Sequence, residues 1–438
     1  EDYSKTRSGK PHRQRHRFLR RSIGYKETPP IPYTLYLATM KVYLDNAATT
    51  PLDKEVVEAM LPYMQEHFGN PSSIHSFGRK TRHGIEGARK IIAKHLNVSP
   101  SEIFFTSGGT EAINTAIRCT IHDLGIKYAI SSKIEHHAVL HSLEAMERDG
   151  KIKLSFVNLD KKGHIDLNHL EELLVSQESG VRSSEQNNTN LRTPNSELRT
   201  FVSLMHANNE IGNLLPLKRV GEMCEKYNAI FHCDTTQTMA HYKLDLQSVH
   251  VDMVNGAAHK FHGPKGVGFL YLTSHHTHPK SPLIYGGSQE RNMRGGTENL
   301  YGIIGIGKAF EIAHRDMEAH RAHIQGLKNY FIEQLEKNIP AVEFNGDAKG
   351  SSLYTVLNVL FPSTENAEMM LFNLDIAGIA VSNGSACTSG STKGSHVLKG
   401  IGSDMNRPSI RFSFSKYNTK EEVDYCVIKL SEMFVVKV

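Results

Sequence analysis

The sequence predicts an α/β protein with a mainly parallel β-sheet that helices cover on both faces. Short apolar runs rich in β-branched and aromatic residues recur from residue 42 onward, and helical stretches separate most of them. Such alternation is typical of parallel sheets that are buried on both sides. The predicted strands of this sheet cover residues 102–106, 128–131, 153–157, 201–206, 229–233, 252–254 and 267–272.

Helices and a region of mixed structure complete this prediction. Apolar residues at helical spacing predict helices over residues 55–66, 81–96, 217–226 and about 308–338. A short strand-like run at residues 41–44 opens the folded part. The last part of the chain resembles a smaller α+β domain, with strands at 354–359 and 410–414 and a helix at 421–433.

Charge is concentrated at the start of the chain. The 438 residues carry a net charge of +5, but residues 1–39 hold nine Lys or Arg and three acidic residues. The rest of the chain is therefore close to neutral, with a net charge of −1 (+5 minus +6), and gives no reason to expect nucleic-acid binding. No apolar run approaches the ~20 residues that a spanning helix needs, so we do not expect a membrane protein.

Two segments lack the pattern of a folded core. Residues 1–39 are predicted to be a basic, disordered leader, which ends in a proline cluster and lacks the apolar stretch of a secretory signal. We favour Met40 as the natural start, and a targeting or nucleic-acid-binding arm is the alternative. Residues 176–199 are polar and lack aromatic side chains, which predicts a surface loop or a disordered insertion.

The five cysteines are few and widely spaced. Their odd number excludes a complete disulfide framework, and the absence of a Cys-x-x-Cys pair gives no indication of a metal site. We therefore expect a reducing compartment and a cytoplasmic location. Cys387 differs from the others because Gly, Ser and Thr surround it, a composition typical of an exposed loop with a reactive thiol.

Two charged residues near the middle of the chain suggest cofactor chemistry. Lys260 follows a predicted strand and lies among small residues and His, which suits a lysine that forms a Schiff base. Asp234 ends another strand, where open α/β sheets place ligands, and its carboxylate could pair with a protonated pyridine nitrogen. The alternatives are a solvated lysine beside a turn and an aspartate that caps a helix. The two features together, 26 residues apart, weaken both alternatives.

Other strand ends carry further candidate residues. Gly109 and Thr110 lie where a strand turns into a helix, so they could bind a phosphate or simply cap that helix. His136 could stack on a cofactor ring and move protons, although a histidine at such a position is often structural. Asn209 could bond a phenolic oxygen. Arg411 lies in an apolar strand and requires an anion, for which a substrate carboxylate is a natural partner.

These motifs together resemble the NifS/IscS-type cysteine desulfurases, which are class-V aminotransferases of the fold-type-I pyridoxal phosphate (PLP) enzymes. The resemblance runs from about residue 42 to residue 433, apart from the polar segment. It is carried by YLDNAATTP, FGNPSS, FTSGGTEAIN, EHHAV, MHANNEIG, HCDTTQ, AAHKFHGPKG, GGSQERNMRGGTEN, GSACTSG and SIRFSF. It implies a large PLP-binding domain at residues 53–317 and a smaller α+β domain, which carries the Cys387 loop, at residues 40–52 and 318–438.

The resemblance assigns roles to individual residues. Lys260 would bind the cofactor as a Schiff base, Cys387 would be the nucleophile, and His136 would assist catalysis. Asn209 and Arg411 would bind the substrate carboxylate. The implied cofactor-binding residues are Gly109, Thr110, His136, Asn209, Asp234, Gln237, His259, Lys260 and Thr297. Thr297 would reach the phosphate of a partner subunit, which implies a homodimer.

The implied reaction converts L-cysteine to L-alanine and leaves the sulfur on Cys387 as a persulfide. The sulfur would then pass to an acceptor protein for iron–sulfur cluster assembly or for tRNA or cofactor thiolation. A selenocysteine lyase or related class-V aminotransferase and a non-catalytic sulfur-relay scaffold are the alternatives. Ala257 departs from the family pattern, because a phosphate-binding serine usually stands there. The resemblance therefore implies that one hydrogen bond to a charged group is lost, about 1.5–3 kcal/mol if no other group compensates for it.

Overall fold

The structure is a computed structural model that describes residues 40–185, 199–274, 279–364, 367–383 and 394–434. The predicted leader, most of the polar segment and Cys387 lie outside these residues. In chain order the strands are β1 (Val42–Tyr43), β2 (Ile103–Thr106), β3 (Tyr128–Ser132), β4 (Lys153–Val157), β5 (Thr200–Met205), β6 (Ile230–Asp234), β7 (Met253–Ala257), β8 (Gly268–Leu272), β9 (Glu343–Phe344), β10 (Val356–Leu360), β11 (Ile379–Ala380) and β12 (Ser409–Ser413).

Helices connect most of these strands. In chain order they are α1 (Lys54–Gln65), α2 (Ser76–Leu96), α3 (Gly109–Asn114), α4 (Thr120–Asp123), α5 (His137–Arg148), α6 (Leu167–Glu185), α7 (Leu217–Lys226), α8 (Leu300–Arg315), α9 (Met317–Asn338), α10 (Met370–Ile376), α11 (His396–Gly400) and α12 (Lys420–Glu432). A π-helical turn at Thr115–Cys119 joins α3 to α4. None of the helices within the described residues is both long and apolar enough to cross a bilayer.

The seven predicted strands form one sheet in the order β2-β8-β7-β6-β5-β3-β4. The pairings of β4, β3, β5, β6 and β7 are parallel, whereas β8 is antiparallel to both of its neighbours. The predicted mainly parallel α/β fold is therefore confirmed. Because β8 reverses direction between β7 and β2, the carboxyl end of β2 lies at the same edge of the sheet as those of the parallel strands.

Apolar side chains cover both faces of this sheet. Along β8, Phe269 and Tyr271 face one cluster, which includes residues of α1, α2, α6, α7 and α8. Leu270 and Leu272 face the other cluster, which α3, α4 and α5 complete. This alternation follows from the two-residue period of a strand. The double cover leaves the carboxyl edge of the sheet as the place where polar side chains gather.

Two smaller sheets are formed mainly by strands of the C-terminal part of the chain. Antiparallel β9, β10 and β12 form one of them, and Phe331 of α9 packs edge-on against Phe412 of β12 at 4.9 Å. The parallel pair β1–β11 forms the other and joins the two chain segments of the predicted small domain. The domain boundaries themselves, at residues 52/53 and 317/318, stay a prediction.

Two predicted elements were wrong in their extent. The single helix at 308–338 is two helices, α8 and α9, because Asp316 between them has a non-helical backbone (φ −109°, ψ 11°). Both helices bury an apolar stripe, so the helical period continues across the break. The loop predicted at 176–199 is helical as far as residue 185. Extending a formed helix costs less than starting one, and buried Leu170 and Leu174 hold its first turns.

Candidate active site

An open cleft of about 910 Å³, including solvent at its mouth, lies at the carboxyl edge of the large sheet. Its walls come from the segments that follow β2, β3, β5, β6 and β7. The cleft brings together all but two of the predicted site residues. These lining residues are Gly109, Thr110, His136, Asn209, Asp234, Gln237, His259, Lys260 and Arg411. Open α/β sheets bind their ligands at this edge.

The carboxylate of Asp234 is held by one of its two oxygens. Oδ1 accepts hydrogen bonds from the backbone N–H of Thr236 at 2.9 Å, from the Thr236 hydroxyl at 2.6 Å and from the Asn255 amide at 2.8 Å. The residue is buried but borders the cleft. The described donors thus fix the rotation of the carboxylate and leave Oδ2 for a ligand. A cationic N–H group in the cleft is the complement to such an oxygen.

Lys260 reaches the cleft from the 3₁₀ turn Ala258–Lys260, which directly follows β7. Its Nζ donates to the carbonyl oxygens of Ala47 at 2.6 Å and Ala48 at 3.0 Å, in the turn after β1. The amide of Gln237 donates to the same Ala47 carbonyl at 3.2 Å. The lysine predicted to bind the cofactor therefore borders the same cleft as Asp234, held by backbone acceptors.

A cradle for an anion opens where β2 leads into α3. A Cβ atom on Gly109 would lie 3.1 Å from the Thr236 hydroxyl and 3.6 Å from the Ala257 methyl group, so any side chain there would fill the cradle. Thr110 and His259 complete its wall. Burial, followed by the nearby Lys260 charge, lowers the pKa of His259 to about 4. His259 is therefore neutral at pH 7 and can serve as a hydrogen-bond donor.

His136 caps the N-terminus of α5 and borders the cleft in a defined tautomer. Its Nδ1 accepts a hydrogen bond from the backbone N–H of Ala138 at 3.1 Å. Burial lowers the pKa of His136, in spite of the opposing charge of Asp234. A neutral ring that accepts at Nδ1 carries its proton on Nε2. Nδ1 of His136 is therefore bonded to the backbone, and Nε2 is the nitrogen available for the predicted role as a proton carrier.

Arg411 has an internal anion that the sequence reasoning missed. Its guanidinium is 2% exposed and donates to the Asp45 carboxylate at 2.8 Å and to the Asn209 carbonyl at 3.0 Å. The carboxylate of Asp45 is thus the anion that the buried Arg411 requires. Arg411 nevertheless borders the cleft. An acidic residue close to a strand end is the signal that could have suggested Asp45, which stands two residues after the end of β1. The predicted role of Arg411 toward a substrate carboxylate stays a prediction.

The sequence model of the family described as "Aminotransferase class-V" matches residues 42–426 of the chain. The chain belongs to the class-V aminotransferase family. Among its relatives, "Cysteine desulfurase IscS" of Dictyoglomus turgidum is 43% identical over 88% of this chain and 92% of its own length. "Cysteine desulfurase IscS" of Methanosarcina thermophila is 40% identical over 87% and 89%. The predicted family is thereby confirmed.

Solved structures give the same result for the fold of this class-V aminotransferase. A structure titled "NIFS-LIKE PROTEIN" matches with a TM-score of 0.78 and 35% identity, over 90% of this chain and 99% of that one. A second, titled "SspA in complex with cysteine", matches with a TM-score of 0.70 and 30% identity, over 87% and 100%. The predicted fold type of the family is thus confirmed.

Of the predicted site residues that the structure of this class-V aminotransferase describes, Thr297 does not line the cleft. Cys387 lies outside the described residues. Thr297 borders a separate cavity, together with Ser107 and Arg294. Its predicted role at a partner's phosphate is compatible with that position and stays a prediction.

A buried ion pair fixes the loop that carries Thr297. Arg89 donates with two nitrogens to Glu290, both at 2.8 Å, and each side chain is 3% exposed. Glu290 also accepts from the backbone N–H of Phe105 at 2.8 Å. Glu290 and Arg291 have positive φ of 46° and 56°, a conformation that such contacts must hold in place.

Replacement of Glu290 by alanine is expected to lower the free energy of unfolding by about 3–5 kcal/mol, because the buried Arg89 would lose its buried, two-point partner and keep only the half-exposed Glu86 as an anion. Chemical denaturation followed by circular dichroism measures this loss. Glu86 is the matched control, since it contacts the same arginine at 3.2 Å but is 44% exposed. Glu86→Ala is expected to cost less than about 1 kcal/mol. Equal losses in the two variants would contradict this assignment.

Proposed function

We propose that this protein is a PLP-dependent cysteine desulfurase that converts L-cysteine to L-alanine and transfers the sulfur to Cys387. The observation that carries the proposal is the cleft. Within it an aspartate whose Oδ1 accepts the described hydrogen bonds, a lysine and a glycine cradle for an anion border one space. The relatives named cysteine desulfurase, which cover most of the chain, support the same reaction.

The residues of the cleft fit pyridoxal phosphate by their donor chemistry. Lys260 would hold the aldehyde carbon covalently, and Oδ2 of Asp234 would accept from the protonated ring nitrogen. Thr110, His259 and the backbone beside Gly109 would hold the phosphate. Asn209 and Gln237 would bond the phenolic oxygen and its surroundings, and His136 would pack on the ring. When bound, this cofactor supplies an electron sink for the bonds at the α-carbon of an amino acid.

The chain's own residues supply the remaining functions. Lys260 would act as the base that removes the α-proton of the substrate. Arg411 and Asn209 orient the substrate carboxylate. The thiolate of Cys387 attacks the substrate sulfur, so that an S–S bond forms as the C–S bond breaks. The electron pair of the C–S bond stays with the substrate carbon, which is protonated to alanine.

One observation supports L-cysteine as the substrate, and another supports Cys387 as the residue that accepts its sulfur. A solved relative of 30% identity is titled as a complex with cysteine. The four cysteines within the described residues are all buried, so none of them is placed to accept sulfur from a ligand in the cleft. Cys387 is the remaining cysteine of the chain. We propose further that the sulfur passes to an acceptor for iron–sulfur cluster assembly or thiolation, and that the protein is cytoplasmic.

A homodimer is part of the proposal. Large apolar side chains are exposed on the segment between α1 and α2 and in the first turn of α2, among them Phe68 (65%), Ile74 (90%) and Phe77 (55%). An exposed apolar surface of this kind favours association with a second copy. The pair would bring Thr297 of each copy to the phosphate of the other. Light scattering on the purified protein is expected to give twice the mass of the chain, and a monomer that turns over cysteine would contradict the shared site.

Replacement of Ala257 by serine is expected to tighten PLP binding by about tenfold, because a hydroxyl would then face the anion cradle. Ala257 borders the cleft at the end of β7, and its methyl group lies beside Gly109. Equilibrium titration of the cofactor-free protein with PLP measures the change. The turnover rate at saturating PLP should stay the same. Unchanged or weaker binding would mean that another group already occupies this position.

Turnover of L-cysteine in the presence of PLP tests the proposed function and separates it from the alternatives. A desulfurase releases alanine and takes up sulfur on the protein without a keto acid. An aminotransferase requires a keto-acid acceptor, and a selenocysteine lyase would prefer selenocysteine strongly over cysteine. A non-catalytic scaffold would bind neither PLP nor substrate productively. Absence of alanine from cysteine would contradict the proposal.

A further inference from the structure

Three fully buried polar side chains lie side by side in the large sheet, beneath the cleft. They are Ser203 of β5, His232 of β6 and Asn255 of β7, each with 0% exposure. Their neighbours along these strands, such as Val202, Phe231 and Val254, are apolar and equally buried. Polar groups in such surroundings are costly unless they are bonded to one another. We call these three residues the polar chain.

Hydrogen bonds connect the polar chain from end to end. The Ser203 hydroxyl lies 2.8 Å from Nδ1 of His232, and Nε2 of His232 lies 3.0 Å from Oδ1 of Asn255. The amide nitrogen of Asn255 then donates to Oδ1 of Asp234 and to the Thr236 hydroxyl, both at 2.8 Å. The polar chain therefore ends on the carboxylate that borders the cleft.

The direction of donation follows from the chemistry of the last link. An ionised carboxylate can only accept, so the nitrogen of the Asn255 amide must face Asp234 and its oxygen must face His232. His232 then donates from Nε2 and accepts from Ser203 at Nδ1. Burial lowers the pKa of His232, which agrees with this neutral form. Each bond in the polar chain thus sets the orientation of the next.

We propose that His232 is a positioning residue for Asp234: by fixing the amide of Asn255, it holds Oδ1 of the carboxylate and keeps Oδ2 turned to the cleft. This inference rests on the proposed function, in which Oδ2 accepts from the ring nitrogen of PLP. Thr236 holds the same oxygen from the turn that follows β6, whereas Asn255 holds it from the neighbouring strand. Without the amide, Thr236 alone would hold Oδ1, so the plane of the carboxylate could tilt about its Cβ–Cγ bond away from the orientation that Asn255 sets.

The test compares two ligands that differ at one atom. PLP and its 1-deaza analogue, in which carbon replaces the ring nitrogen, are titrated into the cofactor-free, full-length protein and into His232→Leu, His232→Gln and Asp234→Ala. We expect His232→Leu to weaken PLP binding about three- to tenfold, because one buried hydrogen-bond link is lost. Binding of the deaza analogue should change less than twofold. His232→Gln, whose amide nitrogen can replace Nε2, should restore most of the PLP affinity.

Asp234→Ala is the reference, because it removes the proposed partner of the ring nitrogen and should abolish the preference for PLP over the analogue. Equal losses of both ligands in His232→Leu would overturn the inference, since a general loosening of the site affects both alike. Unchanged PLP binding would overturn it as well. Asn255→Asp, which keeps the side-chain size, replaces His232→Leu if that variant does not fold, and should also weaken PLP selectively. Failure of the wild-type protein to bind PLP would instead contradict the proposed function, and the inference with it.

Discussion

Replacement of Cys387 by alanine is expected to lower alanine formation from L-cysteine by about a thousandfold or more, while PLP binding stays intact. A tethered thiolate reacts far faster than a thiol or water from solution, because its approach to the substrate sulfur is intramolecular. The residues proposed to hold PLP, such as Lys260 and Asp234, are untouched by this change. Alanine is measured by amino-acid analysis, and PLP by the visible absorption of the protein.

Cys119 provides the matched control for this substitution. Its thiol is buried, and burial raises its pKa to about 11, so little thiolate exists at pH 7. Burial also raises the pKa of Cys224, Cys233 and Cys426. Cys119→Ala should therefore retain the wild-type rate. Alanine formation at the wild-type rate by Cys387→Ala would show that the nucleophile lies elsewhere.

Replacement of Lys260 by alanine is expected to lower turnover by about 10⁴-fold, because the proposed base and the covalent attachment of the cofactor are both lost. The visible absorption of the attached cofactor should disappear. PLP should still bind non-covalently, since Asp234 and the anion cradle do not depend on the Lys260 side chain. Single-turnover assays and equilibrium dialysis measure these two effects separately.

Lys265 is the control for Lys260, because it lies five residues further along in the same motif and is exposed. Lys265→Ala should change neither turnover nor absorption by more than about twofold, as is typical of a solvated lysine. Normal turnover in Lys260→Ala would refute the assignment of this lysine. A loss of activity in Lys265→Ala alone would point to the other lysine of the motif.

Much of the fold could be predicted because the pattern of apolar residues along the sequence matches the residues that the fold buries. Each of the seven strands of the large sheet was identified, since a doubly covered strand is a short apolar run. The break between α8 and α9 was missed because one non-helical residue, Asp316, does not interrupt the apolar period. The first part of the polar segment, residues 176–185, was not predicted to be helical, because its polar composition does not show that it extends α6 from the buried turns before it.

Site residues could be predicted where a residue type is unusual for its local sequence. Contacts between residues that are distant in sequence could not be predicted. Lys260 and Asp234 stand out at strand ends, and both border the cleft. The Asp45–Arg411 pair joins residues far apart in the sequence, so no local pattern indicates it. The bond from Asn255 to Asp234 depends on the register between β6 and β7. Such contacts follow from tertiary packing alone.

The most direct test of the proposed function is the joint measurement of alanine and protein-bound sulfur from one sample. Purified protein with PLP and without reductant is given L-cysteine, alanine is quantified, and the peptide that contains Cys387 is analysed by mass spectrometry. We predict one alanine per sulfur in the first turnover and an added sulfur atom on Cys387. Alanine without that added sulfur, or pyruvate and ammonia in place of alanine, would contradict the proposed mechanism.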